Sequence, residues 1–152
     1  MASSRKLRVV IVVGEASGDT LGAAVLQELE HRYSQVEAVG IGGPLMLSSG
    51  FDSWYAMSEL SVMGYVEVFR KLPRLLRLRS LLIKKITEYK PDLLIGVDAP
   101  DFNLYLERCV RNAGIPVMHL VSPSIWAWRY ERIHKIRESV DRMLVLFPFE
   151  AE

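Results

Sequence analysis

Two carboxylates stand three residues apart where an apolar run ends in a turn, in Ile95-Gly96-Val97-Asp98-Ala99-Pro100-Asp101-Phe102-Asn103. In open parallel sheets ligands bind beyond the carboxyl ends of the strands, so an acid at a strand exit points toward the site. Asp98 lies at the edge of the run, where no helix needs a cap, and is the candidate general base, able to accept a proton from a substrate hydroxyl. A turn aspartate bonding its own backbone is the plainer alternative. Asp101 follows Pro100 and opens a helical pattern, so capping that helix is its expected task.

Other apolar runs end in residues of the same kind. The first is followed by Gly14-Glu15-Ala16-Ser17-Gly18-Asp19, in which glycines admit close approach of a ligand and a helix start favours anions. A tight turn capped by Ser17 explains most of this motif but gives the carboxylate of Glu15 no structural duty. The dinucleotide spacing G-x-G-x-x-G is absent. Gly40-Ile41-Gly42-Gly43-Pro44 ends the second run, where Gly42 and Gly43 suit either a ligand or a simple turn. The fourth ends in Val121-Ser122-Pro123-Ser124-Ile125-Trp126-Ala127-Trp128-Arg129, whose Trp126 and Arg129 could pack an apolar group and pair an anion, or whose tryptophans could be core.

An internal disulfide and a protein-held metal are not expected. Cys109 is the single cysteine, and none of His31, His119 and His134 has a second histidine or a cysteine at ligand spacing. A net charge of +1 argues against nucleic acid as a partner, but the charge is unevenly spread. Between positions 70 and 90 stand eight bases and one acid, leaving the rest of the chain at −6. The same segment places Leu72, Leu75, Leu76, Leu82, Ile83 and Ile86 on one broad face interrupted by Arg79, with Leu78 and Leu81 outside it. Such a helix fits an anionic membrane surface, or an ordinary sheet-covering helix with a basic solvent side.

These groups need a scaffold, and the chain supplies an alternating one. Strand-length apolar runs recur at 8–13, 36–41, 92–97, 115–121 and 142–147, with helix-period segments between most of them. The pattern predicts an α/β fold: a Rossmann-like open parallel sheet of about five strands with helices on both faces. Helices are expected over 17–33, 73–89 with Pro73 in the first turn, 102–113 closed by Gly114, and 130–139. Residues 42–72 show no single period. The apolar run near the N-terminus is too short for a signal peptide and reads as a buried strand, and no run approaches the roughly 20 residues of a membrane span.

Taken together, these motifs, with Glu59-Leu60-Ser61-Val62-Met63-Gly64, Glu67-Val68 and Phe147-Pro148-Phe149-Glu150, resemble the N-terminal half of the lipid-A-disaccharide synthase family, in order along the chain after residue 7. The resemblance implies the acceptor-side domain, residues 7–152, of a two-domain inverting glycosyltransferase of the GT-B type. Such an enzyme joins UDP-2,3-diacylglucosamine to 2,3-diacylglucosamine 1-phosphate, releases UDP and forms a β-1,6 disaccharide, without metal or cofactor. It works as a peripheral protein on the cytoplasmic face of the inner membrane. Carried over by motif, Asp98 is the base for the acceptor's 6-hydroxyl. Glu15, Ser17, Gly42, Gly43, Asp101, Asn103, Ser122, Trp126 and Arg129 fall in substrate-facing motifs, and Met63, Val66, Phe69, Leu72, Leu75 and Leu76 in the segment meeting membrane or acyl chains. The sequence ends at Glu152, where the family continues into a donor-binding half, so these residues alone are expected to lack transferase activity unless a separately encoded half completes them. Competing readings are another nucleotide-sugar enzyme of the same architecture and a non-catalytic module binding lipid or sugar phosphate.

Overall fold

A computed structural model describes residues 3–60, 65–120 and 140–144. In chain order the elements are β1 (Ser3–Val13), α1 (Ala16–Arg32), β2 (Tyr33–Ile41), α2 (Pro44–Ser48), β3 (Asp52–Ser53), a 3-10 turn (Met57–Glu59), α3 (Tyr65–Tyr89), β4 (Leu93–Val97), α4 (Pro100–Asn112), β5 (Val117–Leu120) and β6 (Arg142–Leu144). The strands form one sheet in the order β3-β2-β1-β4-β5-β6. Every pairing is parallel. The five expected strands are all present, and β3 adds a two-residue edge strand inside the segment that showed no period.

β1 is one of the two central strands, and its composition explains why. Val9 through Val13 are all fully buried, as a strand covered on both faces requires. Val9, Ile11 and Val13 pack with Leu26 and Met46 beneath α1 and α2. Val10 and Val12 face the other way, onto Leu82 and Ile86 of α3 and Leu106 and Val110 of α4. Each such fully buried aliphatic side chain contributes about 1.5–3 kcal/mol.

α3 corrects the reading of 73–89 in two ways. It starts at Tyr65, so Pro73 lies inside it rather than in its first turn. The hydrogen bond that proline removes would have reached back to Phe69, which is 77% exposed, so the freed carbonyl can be hydrated and the helix continues. The core stripe is Leu78, Leu82 and Ile86, at a spacing of four, while Leu72, Leu76 and Leu81 remain exposed. The helix expected over 130–139 lies outside the described residues.

Strand order reverses direction at β1 and β4, which lie side by side with α1 and α4 leaving them for opposite faces. This is the topological switch point, where the loops after neighbouring strands part and leave a crevice. The loops that part there begin at Gly14 and Asp98.

Candidate functional site

The two strand exits meet. A β-carbon placed on Gly14 would stand 3.0 Å from that of Ala99, so the backbone after β1 passes directly against the turn after β4. That turn is built from consecutive left-handed residues, Asp98 at φ 51 and Ala99 at φ 44. Neither is glycine, and backbone held there by its surroundings is characteristic of sites where position matters more than relaxation. Pro100 then starts α4, its fixed φ already helical.

Asn103 holds this turn from inside. It is fully buried, and its amide group lies 2.9 Å from the carbonyl of Asp98, 3.4 Å from that of Val12 and 3.5 Å from that of Val97. The carboxyl ends of β1 and β4 and the strained turn thus converge on one side chain. Read from the sequence as substrate-facing, Asn103 instead lies beneath the crevice, because positions 103, 106, 107 and 110 form the buried stripe of α4.

Above the turn lies a cavity of about 300 Å³ lined by Glu15, Leu60, Leu72, Leu75, Leu76, Arg79 and residues 99–102. α3 supplies one wall, the start of α4 another, and the exit of β1 contributes Glu15. Among the expected residues, Glu15, Asp101, Leu72, Leu75 and Leu76 are brought together here. Asp98 immediately precedes this lining and is partly exposed, and its carboxylate makes no hydrogen bond or ion pair among the described residues.

The two capping assignments are corrected. α1 has Glu15 at its N-cap with no side-chain cap bond, and Ser17 is exposed in its first turn. α4 has Ala99 at its N-cap, again without a side-chain bond. Asp101 therefore sits inside the helix, because the left-handed Ala99 brings the chain into helical geometry before it. From there its carboxylate complements the positive end of the helix dipole.

Gly42 and Gly43 are committed to a neighbouring contact. Asp19 is buried, its Oδ1 accepting the backbone N–H groups of Gly43 at 3.0 Å and Met46 at 3.1 Å, and its Oδ2 that of Leu45 at 3.0 Å. Gly42 donates its N–H to Ser53 Oγ at 3.2 Å. The amides of this loop thus hold α2 to α1, while the loop also borders a second, more open cavity of about 530 Å³ with Trp54 and Tyr55 on its wall. Ser122, Trp126, Arg129 and Met63 lie outside the described residues, as does the side chain of Val66.

Arg79, Leu60 and Phe102 were not singled out as site residues from the sequence. The signal for Arg79 was present: with Leu72, Leu75 and Leu76 it completes an i, i+3, i+4, i+7 set, which shares one helix face. In the fold that face is the wall of the cavity.

With the geometry placed, similarity to known proteins becomes specific. The family described as lipid-A-disaccharide synthetase matches residues 9–152. The chain belongs to that family. It is 53% identical over 146 residues to the lipid-A-disaccharide synthase of Pseudomonas paraeruginosa strain PA7, covering 96% of this chain and 39% of that protein. It is 54% identical over 145 residues to that of Pseudomonas aeruginosa strain LESB58, covering 95% and 38%. For the Saccharophagus degradans relative the identity is 56% over 144 residues, covering 95% and 37%. The chain thus spans well under half the length of the family members it matches. Among the described residues no helix is long and apolar enough to cross a membrane.

Proposed function

We propose that these residues form the acceptor side of a lipid-A-disaccharide synthase, an inverting transferase of the GT-B type. The complete protein would move 2,3-diacylglucosamine from UDP to 2,3-diacylglucosamine 1-phosphate. The observation that carries this reading is the cavity at the switch point, with apolar side chains on one wall and Glu15, Asp101 and the Asp98 turn at the strand exits. An acylated sugar needs both kinds of surface at once. Asp98 accepts the proton of the 6-hydroxyl as that oxygen forms a bond to the donor's anomeric carbon. The bond from that carbon to the UDP oxygen breaks, and its electron pair leaves with UDP. Ser17, Gly42, Gly43, Ser122, Trp126 and Arg129 are assigned to the acceptor side by family motif alone. Asn103 serves by holding the turn.

The test is transfer from radiolabelled UDP-2,3-diacylglucosamine by the complete protein. Disaccharide formation is expected with the acylated donor and not with its non-acylated counterpart, and the 152-residue chain alone is expected to be inactive because it positions only one substrate. Equal turnover of the non-acylated donor would point to a different nucleotide sugar and sink the assignment.

The same reading places α3 on an anionic membrane face as a peripheral contact at the inner membrane. Phe69, Leu72 and Leu76 are exposed, and Met63 and Val66 belong to the same segment by motif. Arg70, Arg77 and Lys84 recur every seven residues and form one stripe. A basic residue near an anionic bilayer contributes about 1 kcal/mol, so Arg77→Gln with Lys84→Gln is expected to weaken binding to anionic vesicles about thirtyfold. Arg74 is a poorer choice because it already pairs with Glu59 at 2.8 Å. Sedimentation that ignores both substitutions and added salt would remove the electrostatic part of this reading.

A further inference from the structure

Among the described residues, Arg79 is the only cation in the lining of the 300 Å³ cavity, whose other described walls are leucines, Phe102, the backbone turn and two carboxylates. Its guanidinium rests 4.2 Å from the centre of the Tyr105 ring, and one of its nitrogens lies 3.5 Å from the carbonyl oxygen of Asp101. Among the described residues no carboxylate pairs with it, and stacking on the ring holds its charge in place. Arg108 brings a second guanidinium to the same ring at 5.5 Å. The start of α4 lines the cavity as well, and its positive dipole end adds to the potential there. Glu15 and Asp101 oppose it, but each sits at a helix start, where that dipole offsets its charge.

We infer that Arg79 reads the phosphate of an amphiphilic phosphomonoester whose alkyl part lies on Leu60, Leu72, Leu75 and Leu76. The inference rests on the acceptor reading above and adds to it the residue that selects a phosphorylated acceptor. A planar guanidinium pre-set by a ring face offers paired N–H donors to phosphate oxygens with little further loss of freedom. The leucines supply the apolar contact that free phosphate cannot use.

The test uses the 152-residue chain with octyl phosphate, octyl glucoside and inorganic phosphate, each below micelle-forming concentration, with binding followed by NMR shifts of the α3 and α4 amides. Octyl phosphate is expected to bind at least about tenfold tighter than octyl glucoside, and inorganic phosphate more weakly than octyl phosphate. Arg79→Gln removes the preference for phosphate by weakening octyl phosphate binding far more than octyl glucoside binding, while Arg79→Lys retains part of the preference. Inorganic phosphate binding as tightly as octyl phosphate would overturn the amphiphile, and a phosphate preference that survives Arg79→Gln in a folded chain would overturn the residue. Transfer assays decide the enzyme reading separately: complete protein that turns over acylated donor but shows no phosphate preference refutes Arg79 alone.

Discussion

Asp98→Asn in the complete transferase is expected to lower turnover about 10²–10⁴-fold, with the acceptor KM and the thermal midpoint close to those of the unsubstituted protein. The substitution separates chemistry from architecture. Asn tolerates the left-handed region about as well as Asp does, so the turn at φ 51 persists, and the main-chain carbonyl that Asn103 grips is untouched. What is lost is a carboxylate that can take up a proton. Asp98→Ala is the harsher companion, since Ala gains no local hydrogen bond in that conformation, and a fall in midpoint with Ala but not Asn reports on the backbone rather than the base. Steady-state kinetics and thermal melts of both variants decide the matter. Undiminished turnover in Asp98→Asn would take Asp98 out of the reaction and favour a site that only binds.

The second large effect is on folding. His119 of β5 and Glu107 of α4 are both fully buried, with His119 Nδ1 2.6 Å from Glu107 Oε1. Among the described residues, the remaining polar atom of each, Glu107 Oε2 and His119 Nε2, has no hydrogen-bond partner. Gly96 of β4 makes room for them, because a β-carbon there would overlap Glu107 Oε1. Removing one member of such a pair strands the other, so His119→Leu is expected to cost about 3–5 kcal/mol, a large share of a typical domain's 5–15 kcal/mol. Glu107→Leu combined with His119→Leu should cost less than His119→Leu alone, because no buried carboxyl is then left without its partner.

The pH dependence has a definite sign. Burial raises the pKa of Glu107, and the hydrogen bond and charge of His119 oppose that rise. Without His119 the upward push is unopposed. A carboxyl whose folded pKa exceeds its unfolded one contributes stability that is fully present below the unfolded value and lost as pH rises through the folded value. His119→Leu should therefore lose stability from acid toward neutral pH, and adding Glu107→Gln should abolish that component. Urea titrations across the range test it: a pH profile unchanged by the added Glu107→Gln would show that Glu107 does not set it.

The sheet-forming runs and most helices were legible because their signals are local. Alternating β and α periods are set by neighbouring residues, and so are the start of α4 at Pro100 and its end before Gly114, whose φ is +91. The first two turns of α3 were not legible. Pro73 argues for a boundary unless the carbonyl it frees is known to be exposed, and exposure is a property of the fold. The caps assigned to Ser17 and Asp101 failed for a related reason, since a two-residue shift in where each helix begins moves the side chain from the cap into the first turn.

Asp19 shows the same division. In the sequence it closes a glycine-containing motif, and only packing of α1 against α2 reveals that it accepts three amides from a loop 24 to 27 residues away. Arg79 looked like a break in an apolar face until α3 was laid over the start of α4.

By itself, then, the sequence determined the alternation of strands and helices, the placing of Asp98 and Glu15 at strand exits, and the family to which the chain belongs. Tertiary structure alone decided the order β3-β2-β1-β4-β5-β6, which sets the exits of β1 and β4 side by side. It also decided the clamping of the Asp98 turn by Asn103, the burial of Glu107 with His119, and the meeting of Arg79 with the leucine wall. The physical reason is range. Period, turn and capping preferences act over a few residues, whereas a cavity or a buried polar pair needs groups from distant segments whose desolvation is offset only once the whole sheet has brought them together.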